Sequence, residues 1–357
     1  MPLSNDQVIA ILRTVNDPEL DQDLVSLGMV KNVQVAGDTV DVHIELTTPA
    51  CPLKAVIMRD VQQALQRIGA RTVNVEFSAS ARTPAHALRN ILPQVKNVLA
   101  IGAGKGGVGK STVAVNLAVG LHRQGAAVGL MDGDIYGPSM PAMLGIKGRL
   151  PQLREGMLIP HFVHGIHAVT IGSLVEQDQP LIWRGPMAHA AFKQLFSDNT
   201  QWPALDYLIV DLPPGTGDVP LTLCQLRPLT GAVIVATPQQ VALDDCIRAA
   251  HMFQQLNVPI LGIVENMSFF LDPATGAEHD IFGRGGAEKA AQRLGMPFLG
   301  SIPLFPELRV NSDNGTPLAN FHGNPKLTNA LETIVANLAA QVTHRNLQPR
   351  SPQLSIV

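Results

Sequence analysis

Helical spacing comes first along the chain: Val8, Ile11, Leu12 and Val15 recur over residues 4–16, with Ser4 or Asn5 placed as N-cap. After Asp17-Pro18 the pattern changes to partial alternation over Met29–Val35 and Thr39–Leu46, parted by Ala36-Gly37-Asp38, and this predicts a hairpin. Asp17-Pro18-Glu19 itself reads as a turn with solvated charge. Leu53, Val56, Ile57, Val61, Leu65 and Ile68 then mark a helix that starts near Pro52 and stops at Gly69, and Val73, Val75 and Phe77 a final strand. Residues 1–78 are therefore expected to form a small α-β-β-α-β domain. Residues 79–95 lose all period and carry two prolines, so they read as a linker whose Ile91 and Leu92 can dock on a neighbouring surface.

From residue 96 the rhythm is of another kind, short continuous apolar runs alternating with helical stretches. The runs are Val98–Ile101, Val128–Met131, Leu208–Val210, Ala232–Ala236, Ile260–Val264 and Phe298–Pro303. Helices are expected from Val113 to Leu121, from Asp244 to Leu256 and from Lys326 to Val342, with 343–357 a disordered tail. Unbroken apolar strands between helices predict an α/β fold with a mostly parallel, doubly wound sheet over 96–342. Residues 135–141 are too rich in turn formers for a helix, and 150–185 are broken by Gly156, Pro160 and Gly165. That stretch includes His161, His164 and His167, but on a strand this spacing alternates faces, which argues against a metal site.

The candidate chemistry sits where the first long apolar run ends. Gly104-Lys105-Gly106-Gly107-Val108-Gly109-Lys110-Ser111, with Thr112 following, joins a strand to a helix. Glycines let successive backbone N–H groups turn inward on a phosphate, and the helix N-terminus adds free N–H groups and the positive end of its dipole. Lys110 suits β/γ-phosphate charge and the Ser111 hydroxyl suits Mg²⁺. Gly102, Gly104 and Gly107 also fit the dinucleotide pattern G-x-G-x-x-G, yet a dinucleotide has no use for the Lys-Ser pair. Asp132 and Asp134 follow the next run, and Asp211 closes another, ahead of Leu212-Pro213-Pro214-Gly215-Thr216-Gly217-Asp218. An Asp after a buried strand is the expected metal-side carboxylate of such a site, and Gly215 and Gly217 allow the loop to sense a γ-phosphate. Asn266, after the Ile260–Val264 run, carries the donor and acceptor that suit a purine edge.

Charge and cysteine content narrow the partners. A formal net charge of −3 in 357 residues gives no overall attraction to nucleic acid or acidic lipid. Neither an N-terminal signal nor a membrane-length apolar run is present, so a cytoplasmic protein is expected. Three scattered cysteines, Cys51, Cys224 and Cys246, exclude a local disulfide framework or a four-cysteine metal site within one chain. Cys51 stands between a strand end and a helix start, where a thiolate is favoured, although a small buried residue is the commoner outcome.

Taken together these residues resemble the Mrp/ApbC family of P-loop ATPases, the iron–sulfur cluster carrier and assembly proteins. Residues 1–78, with Asp17-Pro18-Glu19 and Thr47-Thr48-Pro49-Ala50-Cys51-Pro52, resemble the small iron–sulfur assembly-type domain often fused ahead of them. Lys105, a second lysine just after the first loop glycine, resembles the deviant P-loop also seen in Min, Par and nitrogenase iron proteins. Asp132–Ser139 and Asp211–Asp218 resemble the family's own switch sequences. The resemblance implies a homodimer in which Lys105 stabilises transition-state charge in trans and Lys110 binds phosphate in cis. It implies Ser111 as a Mg²⁺ ligand, Asp134 positioning the attacking water near the metal, Asp211 supporting Mg²⁺, and Asn266 contacting adenine. ATP and Mg²⁺ are then the cofactors, and apo iron–sulfur proteins or assembly proteins the partners, with no role for nucleic acid or membrane.

One stretch departs from the family. Members that carry a bridging cluster have C-P-x-C shortly after Asn-Met-Ser, so that two subunits supply four thiolates. Here Asp272 and Thr275 stand at those positions, and a carboxylate and a neutral hydroxyl are poor substitutes for thiolate on iron. The expected activity is thus a dimeric, Mg²⁺-dependent ATPase assisting cluster assembly or transfer. Its rivals are an ATP-gated scaffold or delivery protein that holds no cluster, and a Par/Min-like positioning ATPase. Cys51, Cys224 or Cys246, paired across a dimer, are the alternative cluster ligands.

Overall fold

The structure is a computed structural model that describes residues 3–18, 22–46, 54–79, 92–134, 137–148, 152–154, 156–170, 172, 195–196, 199–215, 223 and 229–347. It divides into two compact units, one running from the N-terminus to Arg82 and joined by the residues from Thr343 onward, the other from Thr83 to Val342.

In the first unit Ser4 caps α1 (Asn5–Leu12). Its hydroxyl accepts from Gln7 N at 3.3 Å while Gln7 Oε1 accepts from Ser4 N at 3.1 Å, a reciprocal capping box. Two short strands, β1 (Asn16–Asp17) and β2 (Gln22–Asp23), pair antiparallel behind it. Here the expected solvated turn is corrected for Asp17, which is only 3% exposed. The β1–β2 pairing and the bond from Leu24 N to Val15 O draw this backbone inward. The hairpin of β3 (Val30–Ala36) and β4 (Thr39–Leu46) turns at Gly37 with φ +65°, and α2 (Lys54–Arg67) crosses over to β5 (Thr72–Ala79). β4 lies in the middle, antiparallel to β3 and parallel to β5. Its Val40, Val42, Ile44 and Leu46 point to one side and pack with Val8 and Leu12 of α1 and Ile57, Val61 and Leu65 of α2. The period-2 pattern leaves the other sheet face polar. Thr47–Leu53, with Cys51, lie outside the described residues.

The second unit is built on a nine-stranded sheet. In chain order its elements are β6 (Val95–Gly102), α3 (Lys110–Arg123), β7 (Val128–Asp132), α4 (Met140–Met143), β8 (Gln152–Arg154), β9 (Met157–Ile159), β10 (His161–Val163) and β11 (Ile166–Thr170). There follow β12 (Leu205–Asp211), β13 (Gly231–Ala236), α5 (Gln240–Gln255), β14 (Ile260–Leu271), β15 (Glu278–His279), α6 (Gly286–Leu294), β16 (Phe298–Leu304), α7 (Pro306–Asp313) and α8 (Pro325–Leu347), of which the part up to Val342 belongs to this unit. The sheet order is β10-β11-β7-β12-β6-β13-β14-β15, with β16 also on β14; only the β10–β11 and β14–β15 pairings are antiparallel. β7 and β13 are buried throughout, and β6 and β12 nearly so, as expected of strands covered on both faces. β8 and β9 pair apart from this sheet.

Several boundaries differ from the sequence reading. Val95, assigned to the linker, already belongs to β6, and Leu92 is fully buried in the core of this unit. Met140 and Pro141, assigned to a loop, open the one-turn α4, where proline is tolerated because first-turn N–H groups have no helical acceptor. β14 does not stop at Val264 but continues to Leu271, irregular near Met267, whose φ is +56°. The closing helix continues past Val342 to Leu347, so the start of the expected tail is helical; the remainder lies outside the described residues. His161 and His167 lie on paired strands while His164 occupies the turn between them at φ +51°. Among the described residues no group of three His, Cys, Asp or Glu side chains is arranged to hold a metal.

Candidate functional site

Three neighbouring parallel strands set the site. Asp211, at the end of β12, is in register with Ile101 of β6 on one side and Asp132 of β7 on the other. The loop after β6 therefore opens beside two strand-end carboxylates, in the crevice outside the C-terminal ends of the strands where open α/β sheets bind ligands.

That loop, Ala103 to Gly109, leads directly into α3, with Gly109 as its N-cap at φ +81°. Two glycines here are required by what packs on them. A Cβ on Gly104 would collide with the backbone carbonyl of Asp245 on α5, and one on Gly109 with the Asn266 amide. Asn266 of β14 donates from Nδ2 to Val108 O at 2.8 Å and so braces the loop from behind. Lys105 lies in front, on a cavity of about 250 Å³ shared with Lys110, Ser111, Asp134, Ser139, Met143 and Pro214.

Lys110, 6% exposed, donates from Nζ to Asp211 Oδ1 at 2.6 Å and stands 3.6 Å from Asp134 Oδ2. Ser111 donates from Oγ to Asp211 Oδ2 at 2.6 Å. Burial raises the Asp211 carboxyl above the usual carboxylate range, and Lys110 works against that rise. Asp132 is fully buried, and burial, reinforced by the charge of Asp211, pushes it up to about 7. The residues read from the sequence thus fall in one place for Gly104–Thr112, Asp134 and Asp211, with Asn266 touching the loop from the opposite side. Thr216, Gly217 and Asp218 lie outside the described residues.

A nucleoside triphosphate with Mg²⁺ calls for phosphate N–H donors, a cation and oxygen ligands for the metal. A glycine loop running into a helix N-terminus, the Lys110 ammonium, the Ser111 hydroxyl and the Asp134 carboxylate line one cavity, and the buried Asp211 carboxylate bonds Lys110 and Ser111 from beneath it. Mg²⁺ keeps waters and takes one or two protein carboxylates plus phosphate oxygens, so it needs no complete protein cage. The residues fit.

Two further residues carry structure that the sequence did not signal. Glu265 is buried beside Asn266 on β14; its Oε1 accepts from Gly285 N at 2.9 Å and from Ser268 Oγ, and its Oε2 from Ala287 N at 2.8 Å. It anchors the N-terminus of α6 with its negative charge. Thr170, at the end of β11, donates to Asp132 Oδ2 at 2.8 Å. Neither side chain belongs to a motif; Glu265 is visible only as a charge ending an apolar run.

Asp272 and Thr275 lie at the tip of the β14–β15 hairpin. Asp272 Oδ2 accepts from Thr275 Oγ1 at 2.6 Å, Oδ1 accepts from Ala274 N at 2.8 Å, and Asp272 N donates to Ala277 O at 2.9 Å. The side chains of Asp272 and Thr275 thus close a turn on themselves.

The profile of the family described as NUBPL iron-transfer P-loop NTPase matches residues 94–339, and that of an iron–sulfur cluster assembly protein family matches residues 5–77. This chain belongs to the iron-transfer P-loop NTPase family. A relative named iron–sulfur cluster carrier protein, from Deinococcus radiodurans, is 48% identical over 355 residues, which cover 99% of this chain and 100% of the relative. Among solved structures, a nucleotide-binding protein from Archaeoglobus fulgidus in complex with ADP is 37% identical with a TM-score of 0.56, over 64% of this chain and 89% of that one. The cell-division ATPase MinD of Pyrococcus furiosus, 20% identical with a TM-score of 0.50 over 68% of this chain and 97% of that one, shares the fold. The carrier family accounts for both units, since its relative spans the whole chain. Among the described residues no helix is long and apolar enough to cross a membrane.

Proposed function

We propose that the chain is a homodimeric, Mg²⁺-dependent ATPase of the cytoplasm that uses ATP to assist the assembly of iron–sulfur clusters or their transfer to apo proteins. The observation that carries the reading is the meeting of Lys110, Ser111, Asp134 and Asp211 at the mouth of a glycine loop, within a chain of the carrier family. The ADP complex of the Archaeoglobus relative supports the choice of an adenine nucleotide.

The loop N–H groups and the N-terminus of α3 receive the phosphates, and Lys110, poised between two carboxylates, turns to the β/γ-phosphates. Ser111, Asp134 and Asp211 would hold Mg²⁺, which when bound offsets charge on the transferring phosphoryl group. Asp134 orients the attacking water. Asn266, its amide nitrogen committed to Val108, offers its carbonyl end to adenine. Lys105 reaches the nucleotide of a second copy and stabilises transition-state charge there, so that turnover waits on dimer closure.

Measured ATP turnover tests the reading: Lys110→Ala and Lys105→Ala are each expected to lower kcat by about a thousand-fold, the scale of a lost transition-state cation. Intact turnover in Lys110→Ala would refute the site.

A second reading, an ATP-gated delivery protein that holds no cluster, is favoured by the self-closed Asp272–Thr275 turn. Anaerobic reconstitution of the wild type and of each Cys→Ala variant, followed by absorbance and iron content, separates the two. Iron bound by the wild type and lost in a cysteine variant supports the carrier; no bound iron supports delivery alone. The paired change Asp272→Cys and Thr275→Cys supplies two thiols around Pro273-Ala274, and iron retained only by that variant also favours the delivery reading.

A further inference from the structure

Asp134 stands on a loop between β7 and α4, and its place is set from outside that loop. Asp132, two residues earlier, is fully buried: its Oδ1 accepts from Asp134 N at 3.2 Å and its Oδ2 from Thr170 Oγ1 at 2.8 Å. The carboxylate of Asp132 thus fixes the peptide from which Asp134 projects, and Thr170 fixes the carboxylate. Thr170 is able to do so because β11 pairs in parallel with β7 and places Thr170 on the same rung as Asp132. It is 2% exposed, so water does not compete for the bond.

The same hydroxyl also accepts from Gly172 N at 3.1 Å. Gly172 lies against the far side of the Asp134 loop, where a Cβ would stand 2.8 Å from Pro141 Cγ and 3.1 Å from Pro138 Cβ. One hydroxyl therefore ties the base of the loop, at Asp132, to the segment that backs Pro138 and Pro141. A methyl group in its place would leave Asp132 Oδ2 and Gly172 N without their partner.

We propose that Thr170 is a positioning residue for the Asp134 carboxylate, holding it through Asp132 and Gly172 in the place from which it acts on ATP hydrolysis. The inference rests on the ATPase reading above. It concerns the orientation of Asp134, because the Thr170 hydroxyl bonds Asp132 and Gly172 rather than the phosphate-binding loop or Lys110.

The experiment compares wild type, Thr170→Val and Thr170→Ser by steady-state ATP turnover and by equilibrium binding of a fluorescent ADP. Outer-shell partners of metal-site carboxylates typically change activity by about 10–100-fold when removed. The valine variant is expected to lose kcat within that range while ADP affinity stays within about 3-fold of wild type, and the serine variant to recover most of the turnover. Equal losses in Val and Ser, or a parallel loss of ADP affinity, would mark a packing role and overturn the assignment. Unchanged turnover in Thr170→Val beside an active wild type would overturn it alone. An inactive wild type overturns the ATPase reading and this assignment with it. If the valine variant does not fold, Thr170→Cys, with a weak donor in the same place, is expected to lose kcat with ADP binding kept; wild-type turnover there would again refute the role.

Discussion

Replacing Lys110 by Met tests the electrostatics of the site without any nucleotide. Its Nζ lies 2.6 Å from Asp211 Oδ1, with the two side chains 6% and 0% exposed. At an effective dielectric of about 20 that separation corresponds to about 6 kcal/mol of attraction, most of it offset by the cost of taking both ions out of water. Removing one partner leaves that desolvation uncompensated, and for buried pairs the loss is about 3–5 kcal/mol. Asp211 can escape part of it by binding a proton. Its folded-state carboxyl is already raised by burial, so its stabilising contribution is full below the unfolded pKa of 3.8 and is lost as pH rises through the raised value. Losing Lys110 raises it further, and the variant's deficit is expected to narrow as pH falls. Urea unfolding in the presence of a chelator, followed by tryptophan fluorescence, is the assay. Trp202 is buried in the 83–342 unit and residues 1–82 and 343–357 contain no tryptophan, so the signal reports on that unit. The double variant Lys110→Met with Asp211→Asn removes both charges and is expected to return to within about 1 kcal/mol of wild type. A single-variant loss under about 1 kcal/mol, or a double variant no more stable than the single, would refute the reasoning.

Other outcomes follow from the same structure. Glu265→Ala strips the acceptor from Gly285 N, Ala287 N and Ser268 Oγ, and should cost about 3 kcal/mol or more, with faster amide exchange at 285–287; a loss under about 1 kcal/mol would count against the anchor. Burial pushes the Cys246 thiol up to about 12, so alkylating reagents should modify it only after unfolding, and rapid labelling of the native chain would contradict this. Asp272 is held below the usual carboxylate range, first by the Thr275 hydroxyl and then by Ala274 N. The turn should therefore stay closed above the ordinary value of 3.8 and open only as pH falls through the lowered one; amide shifts of Ala274 and Thr275 that titrate above 3.8 would show otherwise.

The strand, loop and helix around Gly104–Ser111 could be read from the sequence because each part is local. Apolar runs mark strands, the glycines mark the loop, and Ser4 or Asn5 marked the first cap by the same local logic, the structure selecting Ser4. The pairing of Thr170 with Asp132 could not, since it depends on β11 lying beside β7, a neighbour relation made across residues 133–165. Glu265 was hidden for a related reason: its acceptor role exists only once α6 arrives to present Gly285 and Ala287. Asp17 misled because the Asp-Pro signal describes a turn, while the pairing with Gln22 decides its burial. Met140 and Pro141 misled because a one-turn helix is too short to show a period.

The hairpin tip at Asp272–Thr275 has a consequence for how the protein survives in a cell. A loop shaped by metal ligands is ordered while loaded and open to proteases when empty, so its lifetime follows the metal supply. This tip carries its own closure in a carboxylate, a hydroxyl and two backbone amides. The order of this tip then needs no bound metal, and cleavage there by an added protease is expected to be the same with and without iron.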